Sequence, residues 1–312
     1  MKRTTSVYDN WKWIWQYVKK YKHSIFRFLN WEIACTVIEL VLSILIQQVI
    51  DRITNKELNG IVVFIVVFIL LQLFEVFVHT YTGKIHLKVH HHIQNDMQLH
   101  LYENILSQTN IHPIGHKIVC MEKDIGHVAE TILNQVPGMI TSLICMLGAI
   151  LLLVYYDIPI AIIAICSIPI LLFLYFQSIS TLLKNQKDLH TMQDEKLEES
   201  ITTFQQPSYQ SISKHVQFMQ QLQHKDLAIS LRQYTYQSNK HIVITIAGRI
   251  ISFICYGMVI WQLFHQKISI GTAILLFTMI SNVHSSLEKI VGWIPDVVQA
   301  SISAQRIRKW ME

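Results

Sequence analysis

The stretch IVVFIVVFILLQLFEVFV (residues 61–78) decides the fold class of this chain. Its apolar residues follow one another with only one ionisable side chain, Glu75. A run of about 18 such residues crosses the roughly 30 Å hydrocarbon core of a bilayer when it is helical, because each residue adds about 1.5 Å. We therefore expect a membrane-spanning helix here.

The segment that follows, KIHLKVHHHIQNDMQLHLYENIL (residues 84–106), predicts that this helix continues beyond the membrane. Ile85, Val89, Ile93, Met97 and Leu101 recur at intervals of four, and neither Gly nor Pro interrupts them. That spacing places the five side chains on one face of a helix. The second span should therefore continue as a helix into the cytoplasm.

Five further stretches resemble the first in length and apolar content. The six predicted spans cover residues 28–50, 61–78, 136–156, 158–176, 242–264 and 268–293. With 51% hydrophobic and 15% charged residues, the chain is too apolar to be a soluble domain of 312 residues. The sixth stretch is the most polar, which suggests that one of its faces does not contact lipid.

Long and short connections alternate between the spans. Residues 79–135 and 177–241 are long and charged, and each has a break near its middle, at Pro113 and Gly115 and at Pro207. Lys and Arg concentrate in these connections and before the first span, and only Arg52, Lys56 and Lys267 lie in the short ones. The positive-inside rule then places both termini and both long connections in the cytoplasm. The predicted fold is all-α, with six transmembrane helices and two long cytoplasmic helical hairpins.

Other features exclude several classes of protein. Five cysteines without a CxxC pair argue against a disulfide framework. The N-terminal WKWIWQYVKKYK (residues 11–22) lacks the features of a secretory signal and predicts a helix on the membrane surface. His86 and His90 are one helical turn apart, as zinc ligands can be, but consecutive histidines at 90–92 point in different directions, which favours solvated or packed side chains.

Four local motifs resemble those of the transmembrane domain of ATP-binding cassette (ABC) exporters of the six-helix, domain-swapped type. IGHKIVCMEKDIGHV (114–128) and EESITTFQQPSYQSI (198–212) resemble the two coupling segments through Gly115, Asp124 and Glu199. KISIGTAILLF (267–277) resembles the element before the sixth span through Gly271, and SISAQRI (301–307) resembles the exit from it through Ser303, Arg306 and Ile307. Cys120 and Ser208 depart from the customary basic residues.

The resemblance implies a division into domains. Residues 1–24 would be an elbow helix, 25–300 the six-span domain, and 301–312 the start of a linker to a nucleotide-binding domain. Coupling segments would lie near 109–125 and 203–213 and would contact that domain through the following residues: His112, Pro113, Ile114, Gly115, Asp124, Gln206, Pro207, Ser208 and Tyr209. None of the ten glycines forms a Gly-x-x-x-x-Gly-Lys-Ser/Thr loop, so ATP and Mg²⁺ would be bound by the nucleotide-binding domain, either fused after residue 312 or separate.

Ionisable residues inside the spans predict the transport pathway, because burying one in a bilayer costs about 2.5–3.5 kcal/mol at a helix centre. We expect Glu39 to face a water-filled chamber. Glu75 and Arg249 form either an ion pair or part of the same pathway. The other expected pathway residues are polar side chains of the first, second and sixth spans: Gln47, Gln72, Thr278, Ser281, Asn282 and Ser285.

The functional expectation is therefore the membrane part of an ATP-driven exporter of a peptide or an amphipathic small molecule, without catalysis by this chain. Its partners would be a nucleotide-binding domain, a second transmembrane domain of the same or a related kind, and lipid, but no nucleic acid. We expect it in the bacterial plasma membrane. The alternatives are a lipid flippase of the same family, or a channel or sensor that does not export. A membrane-embedded enzyme is disfavoured because no catalytic cluster has a usable spacing.

Overall fold

The computed structural model describes residues 7–57, 60–107, 123–176 and 209–311, which are helical almost throughout and contain no strand. The helices of these residues are α1 (Val7–Val18), α2 (Lys22–Thr54), α3 (Ile61–Ser107), α4 (Lys123–Tyr156), α5 (Ile158–Phe176), α6 (Tyr209–Phe264) and α7 (Ile270–Met311). A 3₁₀ turn, Lys19–Tyr21, separates α1 from α2. The all-α class is therefore confirmed.

Six of these helices, α2 to α7, contain a segment long and apolar enough to cross a membrane, so the six predicted spans are confirmed. The sixth span differs from the rest as its polarity predicted. In α7, 56% of the most apolar segment is buried within the protein, compared with 11–28% in the other five helices. Most of the surface of α7 therefore contacts other helices.

Two helices run far beyond the membrane. α3 has 47 residues, or about 70 Å at 1.5 Å per residue, which is more than twice the thickness of the hydrocarbon core. α6 has 56 residues, and its apolar segment is confined to Ile242–Phe264. The predicted continuation of the second span as a helix is thus confirmed. The expected hairpin tips, at residues 108–122 and 177–208, lie outside the described residues.

The spans pack around α7, which contacts α2, α3, α4 and α6. Their shared apolar core, the membrane core, includes Leu40, Leu153, Ile160, Cys255 and Met279, each at most 9% exposed. Small residues allow the helices to approach closely there, as they do in many membrane proteins. Large apolar side chains on the outer faces are exposed, among them Val62, Leu70, Phe77, Leu151, Tyr155 and Phe253.

A second apolar core, the extension core, lies where α3, α4 and α7 continue past the membrane core. Four of the five side chains that the interval of four places on one face of α3 are buried in it, with Val89, Ile93, Met97 and Leu101 at most 4% exposed, and Ile85 is half-buried at its edge. α1 closes this core with Trp13, Ile14 and Val18, and α7 contributes Ala300, Ala304 and Ile307. We call this end of the molecule the extension end.

The π-helical segment Thr131–Gln135 interrupts α4 where it enters the membrane core. Pro137 lies two residues after the end of this segment and has no N–H to continue the α-helical hydrogen bonds. A widened turn is a common way for a helix to accommodate such a residue. The π segment therefore separates the extension part of α4 from its membrane part.

The short connections have simple local causes. α2 and α6 each end in a Schellman motif, with Lys56 (φ 58°) and Gln266 (φ 56°) in the left-handed conformation. Asp157 alone joins α4 to α5, and its Oδ1 accepts a hydrogen bond from the N–H of Ile160 at 2.9 Å, which caps α5. The Nε2 of Gln262 in α6 donates to the other oxygen of Asp157.

Candidate functional site

A polar cavity of about 600 Å³ lies among α2, α3, α4 and α7, in the half of the membrane region nearer the extension end. We call it the central cavity. Its size is within the range of about 300–1,000 Å³ that small-molecule sites occupy. Its lining is more polar than that of most such sites. On two of the four helices the polar lining residues recur at regular intervals.

Two helices present a face with the same spacing. α2 contributes Glu32, Cys35, Thr36 and Glu39 to the wall of the central cavity. α7 contributes Asn282, Ser285, Ser286 and Lys289. Both sets have the spacing i, i+3, i+4, i+7, which places four side chains in line along one side of a helix. The two helices therefore face each other across the cavity with polar stripes.

The remaining walls come from α3 and α4. α3 contributes Gln72, Glu75, Val76, His79 and Thr80, and α4 contributes Thr141, Ser142 and Cys145. Val76 and the cysteines add apolar surface to the lining. Side chains of four different spans thus line the central cavity, and a tilt of any one of these helices changes its shape.

The charges of the central cavity are three carboxylates, Glu32, Glu39 and Glu75, and one ammonium group, Lys289. Within the described part of the chain, none of the four makes a salt bridge. The Nε2 of Gln72 donates a long hydrogen bond of 3.4 Å to Glu75. The cavity therefore holds an excess of negative charge that the neighbouring side chains do not compensate by direct contact.

A smaller cavity of about 260 Å³ adjoins the central cavity towards the extension end. The two share Glu32, His79 and Thr141 in their walls. The smaller cavity also contacts His86 and Asn134, which lie closer to the extension core. Polar space thus extends from the membrane region towards the extension end.

The structure brings five of the nine predicted pathway residues together. Glu39, Gln72, Glu75, Asn282 and Ser285 all line the central cavity. Their part in transport stays a prediction, but three different helices place them at one site. Gln72 and Glu75 lie one turn apart on α3, and Asn282 and Ser285 lie one turn apart on α7.

The other four predicted pathway residues lie elsewhere. Gln47 is buried at the opposite end of α2, where its Nε2 donates to Thr272 at 3.0 Å and its Oε1 accepts from Tyr156 at 2.8 Å. These bonds give it a packing role between α4 and α7. Thr278 donates to the carbonyl of Ile274 at 2.9 Å, within its own helix. Ser281, also on α7, is exposed outside the lining of the cavity.

Arg249 is exposed on α6, which contributes no residue to the central cavity. It does not pair with Glu75, and the described residues contain no salt bridge between them. The expectation of an ion pair was wrong because similar depth in the membrane does not fix the direction in which two side chains point. A rotation of 100° per residue separates neighbours on a helix.

Sequence reasoning missed Lys289 as a cavity residue and did not assign Glu32 to the pathway. The i, i+3, i+4, i+7 pattern of polar residues in α2 and in α7 was a signal that could have found both. Lys289 lies near the end of the sixth predicted span and far along the chain from Glu39, so the sequence does not show that the two side chains share a cavity. Ser142 and Ser286 were missed because single serines are ordinary in membrane helices.

One of the expected coupling residues occupies a defined place at the extension end. Asp124, at the start of α4, is 4% exposed and lies 3.2 Å from the Nε of Arg306 in α7. Its other oxygen accepts a hydrogen bond from the hydroxyl of Ser303 at 3.0 Å. The coupling motif and the exit motif of the sequence therefore meet. This contact joins the first turn of α4 to the end of α7.

The other eight expected coupling residues are either outside the described residues or at the start of α6. His112, Pro113, Ile114, Gly115, Gln206, Pro207 and Ser208 lie outside the described residues. Tyr209 is the first residue of α6. Their contact with a nucleotide-binding domain stays a prediction.

α1 is attached to α3 and α7 by polar contacts outside the membrane core. Asp96 of α3 accepts hydrogen bonds from Lys20 and from Tyr21, both at 2.8 Å. Burial acts to raise the pKa of Asp96, but the two hydrogen bonds and the charge of Lys20 outweigh it and hold that pKa below its ordinary value. The Nδ2 of Asn10, which is 3% exposed, donates to the carbonyl of Ser301 at 3.0 Å.

The histidines of α3 are engaged in local packing. His90 lies 3.6 Å from a carboxylate oxygen of Glu130 in α4, and His92 stacks on Tyr21. Burial lowers the pKa of His90, and the charge of Glu130 opposes that effect. In the part of the chain that the structure describes, no group of three or more His, Cys, Asp or Glu is placed to hold a metal ion.

Comparison with known proteins agrees with the architecture. No curated protein sequence matches the chain. The family model of the ABC transporter transmembrane region matches residues 31–206, more than half of the chain. The match begins in α2 and includes α3, α4 and α5, and so covers three of the four walls of the central cavity. This chain is therefore a multi-pass membrane protein that belongs to the family of ABC transporter transmembrane regions.

Proposed function

We propose that this chain forms the translocation pathway of an ATP-driven ABC exporter and moves a peptide or an amphipathic small molecule out of the cytoplasm. The observation that carries the proposal is the central cavity, which four spans line with aligned polar side chains. Ionisable groups in a membrane span are costly and mark pathways for ions or substrates. The extension end would then be cytoplasmic, as the distribution of Lys and Arg predicts.

The long helices provide a mechanical link between the central cavity and the extension end. α3, α4 and α7 each contribute to the cavity wall and to the extension core. A nucleotide-binding domain that contacted the coupling segments could tilt these helices together, since Asp124 and Arg306 connect α4 with α7. Transport would be a shift between inward-open and outward-open arrangements, each favoured by a different set of bound nucleotide and cargo.

A second transmembrane domain would complete the pathway. In the single chain, Glu39, Gln72 and Lys289 are exposed although they belong to membrane-spanning helices. Exposure of such groups to hydrocarbon costs about 2.5–3.5 kcal/mol each for a charged side chain near the bilayer centre. A second copy or a homologue placed over the open side of the cavity would remove these groups from lipid. The proposal therefore includes a homodimer or a heterodimer.

ATP hydrolysis would take place on the nucleotide-binding domain, with ATP and Mg²⁺ bound there. The residues of this chain would bind cargo, exclude lipid and transmit movement. The motifs of the sequence that resemble coupling segments are the reason for placing the contact at residues 109–125 and 203–213.

The test is transport by the complex purified from its native membrane together with the ATPase that accompanies the chain. In proteoliposomes we expect ATP-dependent accumulation of cargo on the side opposite the ATPase, with none when a non-hydrolysable ATP analogue replaces ATP. Fluorescent amphipathic cations and short basic peptides serve as first cargo probes, and a fluorescent phospholipid tests the flippase alternative.

Two outcomes would contradict an exporter. Equal probe flux with and without ATP would favour a channel. ATP-dependent movement of the phospholipid between leaflets, with no movement of either soluble probe, would favour a flippase.

A further inference from the structure

The central cavity has more acidic than basic side chains in its lining. Three carboxylates, Glu32, Glu39 and Glu75, share the cavity with one ammonium group, Lys289. None of them forms a salt bridge within the described residues. Unpaired carboxylates at this depth are stabilised either by water or by a cation, because hydrocarbon cannot solvate them.

Two hydroxyl groups on different walls of the central cavity make no hydrogen bond within the described residues. Ser142 and Ser286 are 7% and 4% exposed and line the central cavity. Within the described chain neither hydroxyl makes a hydrogen bond, whereas the buried hydroxyls of Ser167 and Ser252 bond to backbone carbonyls. Since both residues line the cavity, their hydroxyl groups are available to water or to a bound molecule.

The cavity also offers apolar contact. Val76 and the side chains of Cys35 and Cys145 interrupt the polar lining on three different helices. A ligand that fills the cavity of about 600 Å³ and contacts these apolar side chains must have an apolar body as well as charge. A small inorganic cation does not meet that description, since it leaves the apolar surface and the volume unused.

From these three observations we infer that the central cavity is a binding site for an amphipathic organic cation, held by Glu39 and Glu75 with Glu32 in support. Lys289 is a positive charge on the wall of the same cavity, and it competes with the ligand for the carboxylates. The inference rests on the proposed function because it treats the bound ligand as the transported cargo. It adds the chemical class of that cargo.

The carboxylates and Lys289 should affect binding in opposite directions. Replacement of Glu39 or Glu75 by Gln keeps the size of the side chain and removes one attractive charge. Replacement of Lys289 by Gln removes a competing positive charge. We expect the first two variants to bind a cation roughly five- to tenfold more weakly and the third to bind it several-fold more tightly, as expected for charges in partly hydrated surroundings.

The experiment measures equilibrium binding of radiolabelled tetraphenylphosphonium to the protein in nanodiscs without ATP, after subtraction of binding to protein-free nanodiscs. Tetraphenylborate, which has the same shape and the opposite charge, is the ligand control. Glu288→Gln is the matched protein control, since Glu288 is an exposed neighbour of Lys289 that does not line the central cavity. We expect saturable binding of the phosphonium ion and no change in the Glu288 variant.

The inference is overturned if tetraphenylborate binds as tightly as tetraphenylphosphonium, or if the Glu39, Glu75 and Lys289 variants all change affinity in the same direction. A general folding defect gives that second result, so the opposite sign expected for Lys289→Gln distinguishes a site from a damaged protein. Cation binding without ATP-driven transport would refute the exporter and leave the site. ATP-driven transport restricted to anions would do the reverse.

Discussion

Gly271 of α7 packs directly against the backbone of α2. A Cβ atom at this position would lie 2.3 Å from the carbonyl oxygen of Gln47 and 2.6 Å from Oδ1 of Asp51. The N–H of Gly271 donates to the same carboxylate oxygen at 2.9 Å. Since a backbone oxygen cannot rotate away, any side chain here must separate α2 from α7.

We therefore predict that Gly271→Ala destabilises the protein by about 1–3 kcal/mol, the usual cost of overpacking. The measurement is the midpoint of thermal unfolding in detergent. Gly292→Ala on the same helix is the control, because a Cβ there meets no atom within 4 Å. That change should be neutral or stabilise by up to about 1 kcal/mol, as Ala for Gly does inside a helix. Equal destabilisation by the two substitutions would contradict the argument from close approach.

The sequence identified residues such as Gly271 and Gln47 but did not show which residues they contact. Gly271 was recognised through a family motif, but the reason for it, the oxygen of Gln47 on another helix, needed the structure. Gln47 itself was assigned to the pathway because polarity in a span is visible in sequence, whereas a hydrogen bond to Tyr156 is not. Side-chain chemistry is encoded locally, and partners distant in the chain are not.

Helices as units show where the sequence was most informative. The interval of four from Val89 to Leu101 predicted that α3 continues as a helix with these side chains on one face, and the structure buries them. Periodicity fixes a face because every fourth residue returns to the same side of a helix. It does not identify the helix that covers the face, so the roles of α1 and of the end of α7 could not be inferred.

The attachment of α1 to α3 leads to a prediction about pH. Because the pKa of Asp96 in the folded protein lies below its ordinary value, the stabilisation from its contacts with Lys20 and Tyr21 is present above the unfolded pKa. It is lost as pH falls through the folded pKa. The same contacts raise the pKa of Lys20, so their contribution is also lost at strongly alkaline pH. Between these limits it is constant.

Asp96→Asn should therefore lower the unfolding midpoint at neutral pH, but only slightly, because ion pairs this exposed contribute little to stability. The difference from the unchanged protein should shrink towards zero as the pH falls below about 4. Lys19→Gln, at the exposed neighbour of Lys20, is expected to have no effect at any pH. A difference between the Asp96 variant and the unchanged protein that stayed the same from neutral pH to pH 2 would contradict ionisation of Asp96 as its cause.

The whole molecule combines a membrane core, an extension core and a polar cavity between the spans. Six spans and their long continuations were predictable, because bilayer thickness imposes a length on each apolar segment. The position of the central cavity among the spans could not be predicted from the sequence. It arises where the polar stripes of α2 and α7 face each other, and that relation depends on the packing of all four walls.

Access of water to the central cavity can be measured with the cysteines of the protein itself. Cys35 and Cys145 line the cavity, whereas Cys255 is 0% exposed in the membrane core. In variants that keep one cysteine each, we predict that a membrane-impermeant methanethiosulfonate labels Cys35 at least about tenfold faster than Cys255, because reaction requires a hydrated thiolate.

The same reagent tests alternating access when it is added to inside-out vesicles that contain the complete complex. Labelling of Cys35 should be fast without nucleotide and slow after ATP-dependent trapping with vanadate. Cys166, which is exposed on the outer surface of α5, provides a comparison outside the cavity. Labelling of Cys35 that is as slow as that of Cys255 in both states would show that the cavity is closed to water.

The single residue between α4 and α5 constrains how the protein is made. One extended residue spans only about 3.5 Å, so α5 must reverse direction as soon as α4 has crossed the bilayer. The ribosome therefore delivers these two spans to the insertion machinery as one antiparallel pair. The only strongly polar side chain at the tip of that pair is the carboxylate of Asp157, and acidic groups oppose translocation far less than Lys or Arg. We expect this pair to insert as a unit before α6 and α7 have been synthesised.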